Sequence, residues 1–271
     1  MLTRLFIIFL VFLGFGHSAL ADYPISGGRD SCDATVLKTV GDHFRLEKFS
    51  FPYPNGGDVL SGDCKPWPTD ASRTLAAFYY QTDEQKYPGY VVRQFVLLLA
   101  LVDVPSQRVI ASYRSEPVEE DAVTWVDEYS ARLDTARYTL SKTTRAFALR
   151  SFTFHGPCAA SGGWTDDLTL FVVAGKKLRP VLSQTMSHWK QGGSGSCGSP
   201  IVEDDPPVDV QADIFIAVEK TATHGLADLR LSVKSDTHQN PPSMVIKYNG
   251  KDYDQMAWDK AFRDWWESVN P

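Results

Sequence analysis

The chain has 271 residues, of which 43 % are hydrophobic, 12 % aromatic and 22 % charged, with a formal net charge of −6. No basic stripe interrupts that acidic balance, so the electrostatic footprint of a nucleic-acid binder is missing. Behind the N-terminal leader no stretch is long and apolar enough to cross a bilayer, and the most apolar one, 95–104, has the length of a strand.

The leader itself is legible. Arg4 supplies a positive start, residues 5–15 form an apolar run, and Ala19-Leu20-Ala21 places small residues where a signal peptidase reads them. Residues 1–21 are therefore expected to be a signal peptide cleaved before Asp22. Losing Arg4 would take the charge from −6 to −7 and leave no segment for membrane insertion. The first cysteine, Cys32, stands too far from the apolar run for a lipoprotein anchor. Cys32, Cys64, Cys158 and Cys197 make an even count behind a leader, which reads as two disulfides in an oxidising compartment. Their intervening segments of 31, 93 and 38 residues do not suit a four-cysteine zinc site.

Residues 34–49 fit either a short helix or a strand pair. Residues 50–69 are rich in Pro, Gly and Asn, and their X-Pro steps predict a structured loop held by Cys64. Strands follow at 74–81 and 90–104, the latter returning through a turn at 103–107 into 107–113. Residues 118–129 carry Glu119, Glu120, Asp121 and Asp127 with no clear period. Alternation resumes at 145–154. Segments 167–173 and 178–183 flank Ala174-Gly-Lys-Lys177, a hairpin turn. In 208–220 the apolar residues Val208, Val210, Ala212, Ile214, Ile216 and Val218 share one face, and 225–234 repeats the pattern with Leu226, Leu229, Leu231 and Val233. Asn249-Gly250 turns 244–248 back into 251–253.

The C-terminus changes period. Trp258, Ala261, Phe262, Trp265 and Val269 fall at helical spacing with charged residues opposite, an amphipathic helix expected to pack on the sheet; Trp266 lies just off its stripe. The expected fold is mainly β (α+β): antiparallel hairpins in a meander, closed by that helix. Residues 22–271 are expected to form one secreted globular unit, with 191–207 the place for any subdivision.

Chemistry is sparse. Gly193-Ser-Gly-Ser-Cys-Gly-Ser-Pro200 follows His43 and Asp103 in the order His, Asp, Ser, but the surroundings of neither His43 nor Ser194 match a serine protease. His43, His155, His188, His224 and His238 show no ligand spacing, so neither a metal site nor a cofactor is expected. The acidic run 203–205 reads as a solvated linker. Gly162-Gly-Trp-Thr-Asp-Asp167 is the candidate binding stretch, with Trp164 and Asp166 as a platform beside the Cys158 loop. The hairpin at 168–183 predicts disulfide pairing. Cys158 and Cys197 both leave its open end, which pairs them and leaves Cys32 to Cys64.

Asp134-Thr-Ala-Arg-Tyr-Thr-Leu140, Arg145-Ala-Phe-Ala-Leu-Arg150, Asp167-Leu-Thr-Leu-Phe-Val172 and Leu178-Arg-Pro-Val-Leu182 resemble a pattern in proteobacterial periplasmic proteins of unassigned function. The resemblance spans about residues 90–185. It implies a Gram-negative periplasmic setting and carries over no catalytic residue. The leading expectation is a soluble periplasmic binding or interaction protein, of the inhibitor or toxin-immunity kind, with a protein partner and without catalysis. The rivals are a hydrolase converging from His155, Asp166 and Ser194, and an envelope-assembly protein.

Overall fold

A computed structural model of the chain describes residues 32–52, 55–121, 123–153, 162–190, 210–235 and 240–269. The leader, Cys158, Cys197 and the 191–207 stretch lie outside these residues, as do His155 and Ser194.

The ambiguous segment after Cys32 is helix α1 (Ala34–Phe44). The Asp33 side chain caps it by accepting from the Thr35 amide at 2.7 Å, and Arg45 ends it in the left-handed region. The expected loop at 50–69 is corrected: its second half is strand β1 (Val59–Trp67). The X-Pro reading failed because Pro66 sits in a strand whose backbone ladder runs to one neighbour only, where a missing N–H is tolerated. The Cys32–Cys64 disulfide, with a Cα separation of 5.0 Å, ties the start of α1 to β1.

A long meander follows. Strands β2 (Asp70–Tyr87) and β3 (Tyr90–Asp103) form a hairpin whose outer half, from Asp83 onward on β2, is exposed. Strand β4 (Arg108–Arg114) returns through a turn in which Asp103 caps Ser106. The undecided stretch at 118–129 contributes the two-residue β5 (Val118–Glu119) beside β3. Strands β6 (Ala131–Asp134), β7 (Ala146–Ser151), β8 (Gly162–Ala174) and β9 (Lys177–Lys190) continue antiparallel. The turn between the last two is the expected one, with Gly175 at φ +63°.

The meander is broken at β9. On one edge β9 pairs β8 along its whole length. On the other edge its start meets β4, parallel, at Ser112–Lys177, and its end meets β10 (Val210–Thr223) at Lys190–Ser187. Strands β10, β11 (Leu226–Lys234) and β12 (Ser243–Ile246) extend from there. Among the described residues the result is a mixed sheet of twelve strands. Eight of them, in the order β1-β2-β3-β4-β9-β8-β7-β6, make a nearly closed barrel.

Among the described residues, no strand ladder joins β6 to β1. Side chains of β1 bridge the gap instead. Ser61 Oγ accepts from the Ala131 amide at 3.0 Å, and Asp63 Oδ2 accepts from the Leu133 amide at 2.7 Å. Lys65 Nζ donates to the Leu133 carbonyl at 2.6 Å. Spacing by two puts all three on one face of β1.

The interior is filled by side chains, as eight strands allow. Phe147 stacks on Phe171 at 5.6 Å, Tyr113 meets Phe171 edge-on, and Tyr79 does the same with Phe95. A second core lies outside β1–β3, where α1 covers Phe78 and Val96. The third lies on the outer wall of β7–β9, covered by β10–β12 and by helix α2 (Met256–Ser268). This is the expected C-terminal amphipathic helix. Its fully buried Trp258 donates Nε1–H to Gln184 at 2.9 Å, and Lys190 Nζ binds the carbonyls of Trp266 and Val269.

Replacing Asp63 by Ala would leave the buried Leu133 amide without its acceptor and is expected to destabilise the oxidised protein by about 2–3 kcal/mol, against roughly 1 kcal/mol for Ser61→Ala. Asp63→Asn keeps an acceptor and should fall below Asp63→Ala. Urea unfolding of the three variants measures this. An Asp63→Ala variant as stable as the parent would show that the barrel does not depend on the bridge.

Candidate functional site

With the barrel interior filled, a concavity of about 910 Å³ lies on the outer wall, where β6, β7 and β8 face the departing β10. A smaller one of about 710 Å³ lies by the β2–β3 hairpin. There Arg93 clasps Glu120 through two contacts of 2.6 Å beside the exposed Trp125.

Alternation builds the larger cleft. On β6 the apolar Ala131 and Leu133 point into the barrel, so Arg132 and Asp134 point out. On β7 Phe147 and Leu149 point in, and Arg150 points out. The register sets Arg132 directly opposite Arg150, a like-charge pair that would repel without compensation. Compensation comes from two carboxylates. Arg150 Nε lies 3.3 Å from Asp134 Oδ2, and Arg150 Nη1 contacts Asp166 Oδ2. Asp166 reaches it from β8 with a left-handed backbone, φ +62°, which Asp tolerates better than most residues. Tyr138 donates its hydroxyl to Asp134 at 3.0 Å.

One guanidinium thus serves two carboxylates. Although burial works against its charge, the carboxylates of Asp166 and Asp134 hold Arg150 above its ordinary value. Burial pushes Asp166 up, and its share of Arg150 only partly opposes this. Its Oδ1 is buried and has no hydrogen-bond partner among the described residues. Ionised Asp166 therefore weighs against the fold as pH rises above the unfolded value of 3.8.

Arg132 is in a different state. Its guanidinium lies over the Phe152 ring at 5.2 Å and makes no ion pair with a described residue. Across the cleft Asp213 of β10 accepts from Ser187 Oγ at 2.9 Å and from Gln211 Nε2 at 3.1 Å, and no described cation pairs with it. Met186, Ile214 and Ile216 are among the apolar residues that line the cleft.

Of the expected platform, both members lie on β8 rather than in a loop. Asp166 lines the cleft, whereas Trp164, 43 % exposed and opposite His188, is not among its lining residues. The other two parts of the hydrolase reading, His155 and Ser194, lie outside the described residues. His43 bonds Ser112 at 3.0 Å. Among the described residues no group of three His, Cys, Asp or Glu side chains has metal-binding geometry. Of the two expected disulfides, Cys32–Cys64 is present, and Cys158–Cys197 falls outside the described residues.

Sequence reasoning missed Arg132, Asp134, Arg150 and Asp213. A signal existed: Arg150 is a charge at an outward position of an otherwise apolar strand. Comparison with protein-family models, curated proteins and solved structures returns no match.

His188, beside Trp164, packs on Phe262 of α2 at 4.7 Å, and burial lowers its pKa from 6.5 to about 4. A histidine held neutral by the fold contributes stability that is complete above pH 6.5 and lost as pH falls toward 4. The loss should reach about 3 kcal/mol at most. Subtracting the pH–stability curve of His188→Phe from that of the parent should isolate this drop. Parallel curves between pH 6.5 and 4 would refute the coupling.

Proposed function

We propose that this chain is an exported periplasmic binding protein without catalytic activity, and that its ligand sits in the outer-wall cleft. The observation that carries the reading is the cleft itself: about 910 Å³, partly apolar, lined by two charged side chains with no ionic partner among the described residues. Ligand sites characteristically combine apolar lining with a few placed polar groups. Export is supported by the leader pattern at 1–21 and by a disulfide whose formation needs an oxidising compartment. The binding reading outranks the hydrolase because the cleft's carboxylates are already engaged. Asp134 is tied to Tyr138 and Arg150, Asp166 to Arg150, and Ser187 gives its hydroxyl proton to Asp213 with no histidine among the described residues that line the cleft.

A second reading, an inhibitor or immunity factor with a protein partner, is favoured by one observation. Val91 and Trp125 are exposed at the smaller concavity, and Val118 and Tyr129, each two residues along the chain from one of its lining residues, are exposed as well.

Two measurements test these readings. Expressed in a Gram-negative host, the chain should be recovered from the periplasmic fraction with an intact mass that starts at Asp22; a product retaining residues 1–21 in the cytoplasm would remove the export reading. Screened by amide NMR against a fragment library, that protein should show shifts clustered at Arg132, Asp134, Arg150, Asp166 and Asp213. Shifts confined to Arg93, Glu120 and Trp125 would move the site to the smaller concavity and favour the protein-partner reading.

A further inference from the structure

We infer that the smaller concavity is a strand-docking site, taken by an extended, basic segment of a partner protein that pairs with the free edge of β3 at Val91. The inference rests on the protein-partner reading and adds the mode of docking and the charge of the segment.

The main chain gives the direction. Alternate residues of an antiparallel strand turn their N–H and C=O to the same edge. On β3 the Leu97 carbonyl accepts from the Ser115 amide, and the Arg93 carbonyl accepts from the Glu120 amide, each at 2.9 Å. The odd-numbered residues of this stretch therefore face away from β2. Val91 is the next of them, and before Arg93 β3 pairs only β2 among the described residues. Its N–H and C=O thus point to an edge without a described strand, at a concavity that Val91 itself lines. Such an edge offers a donor and an acceptor to an arriving strand.

Side chains shape the place. The Arg93 guanidinium fastens the segment 120–126, through both Glu120 oxygens at 2.6 Å and the Val126 carbonyl at 3.1 Å. Val91, two residues from Arg93, projects from the same face of β3. It is 50 % exposed, and Trp125 in the fastened segment is 44 % exposed. From Asp83 to Tyr87 the hairpin is an exposed two-stranded arm, an arrangement that gains stability from a third strand.

Charge selects the strand. The concavity is lined by one cation, Arg93, and by Glu120, Asp121 and Asp127. Asp121 accepts from the amides of Val123 and Thr124, contacts that hold its carboxyl below the ordinary value of 3.8, and no described cation pairs with it. A lysine or arginine on the arriving segment is complementary to this lining. A second copy of the chain is not: the free edge of its own arm would bring Asp83 and Glu84.

The test titrates two acetylated and amidated pentapeptides into the oxidised protein at low ionic strength, followed by amide NMR. One has lysine at both ends with valine, threonine and valine between; the other has glutamate at both ends. The lysine peptide should shift Val91, Val92, Asp121 and Trp125, and the glutamate peptide should bind about tenfold more weakly or worse. Asp121→Asn, which keeps the acceptor and loses the charge, should narrow that difference. Val91→Pro removes the outward N–H while the ladder to β2 runs through Val92, and should weaken the lysine peptide about tenfold. Val91→Thr keeps the N–H and should bind as the parent does. Unchanged thermal unfolding separates these effects from misfolding. Equal binding of the two peptides to the parent overturns the inference, as does undiminished binding to a folded Val91→Pro. A parent that sediments as a dimer, dissociated by Val91→Lys, would give the edge to a second copy and overturn it as well. If fragments perturb Arg93, Glu120 and Trp125 while neither peptide binds, strand docking is overturned and the protein-partner reading stands. If neither fragments nor peptides perturb the concavity, both are overturned.

Discussion

Among the described residues no backbone ladder joins β6 to β1, and three side chains of β1 bridge the gap. Ser61, Asp63 and Lys65 present two acceptors and a donor to the inner edge of β6, where a neighbouring strand would present carbonyls and amides. The substitution has a physical price: Ser61 and Asp63 are fully buried polar groups, tolerable only because they are bonded. Ser61 satisfies a second group as well, donating to the Glu128 carbonyl at 3.1 Å. β6 is four residues long, and its position decides where Arg132 and Asp134 point. The bridge therefore stabilises the barrel and also orients one wall of the cleft.

Filling the barrel has a consequence for function. With Phe147 and Phe171 stacked inside, the interior is a packed core, so the proposed ligand site is on the outside. The outer wall of β7–β9 is mostly covered by β10–β12 and α2. Tyr253 donates its amide to the Val181 carbonyl, and its hydroxyl to Ala227, fastening that cover. The cover stops short at the level of Arg150 and Asp166. There the wall carries charge, and it stays open as a cleft.

Much of the fold was legible in the sequence because burial on one face imposes a period. The alternation in 208–220 placed Val210, Ala212 and Ile214 on a buried face, and the C-terminal spacing placed Trp258 there. Asn249-Gly250 marked a turn that is present, with Asn249 accepting from the amides of Lys251 and Asp252. β1 was misread because proline density is a local signal, whereas the strand is held by pairing with β2 and by the Cys32–Cys64 disulfide, both long-range. The branch at β9 was invisible for a related reason: no periodicity states which edge a strand shares. Asp166 was singled out, but its partner Arg150 sits on β7, 16 residues away in the chain, and Asp134, which shares that guanidinium, sits on β6. Only the register brings them together.

The branch and the cleft are one structural event. A strand has two edges, and β9 gives one to β8 throughout while dividing the other between β4 and β10. Because β10 holds β9 only over four residues, it must leave at Asp213 for its sheet to fold over the outer wall. Departure separates Asp213–Ile216 from β6–β8, and the wedge so opened is the cavity. The bond between Ser187 and Asp213 sits at the fork, across the last paired residues.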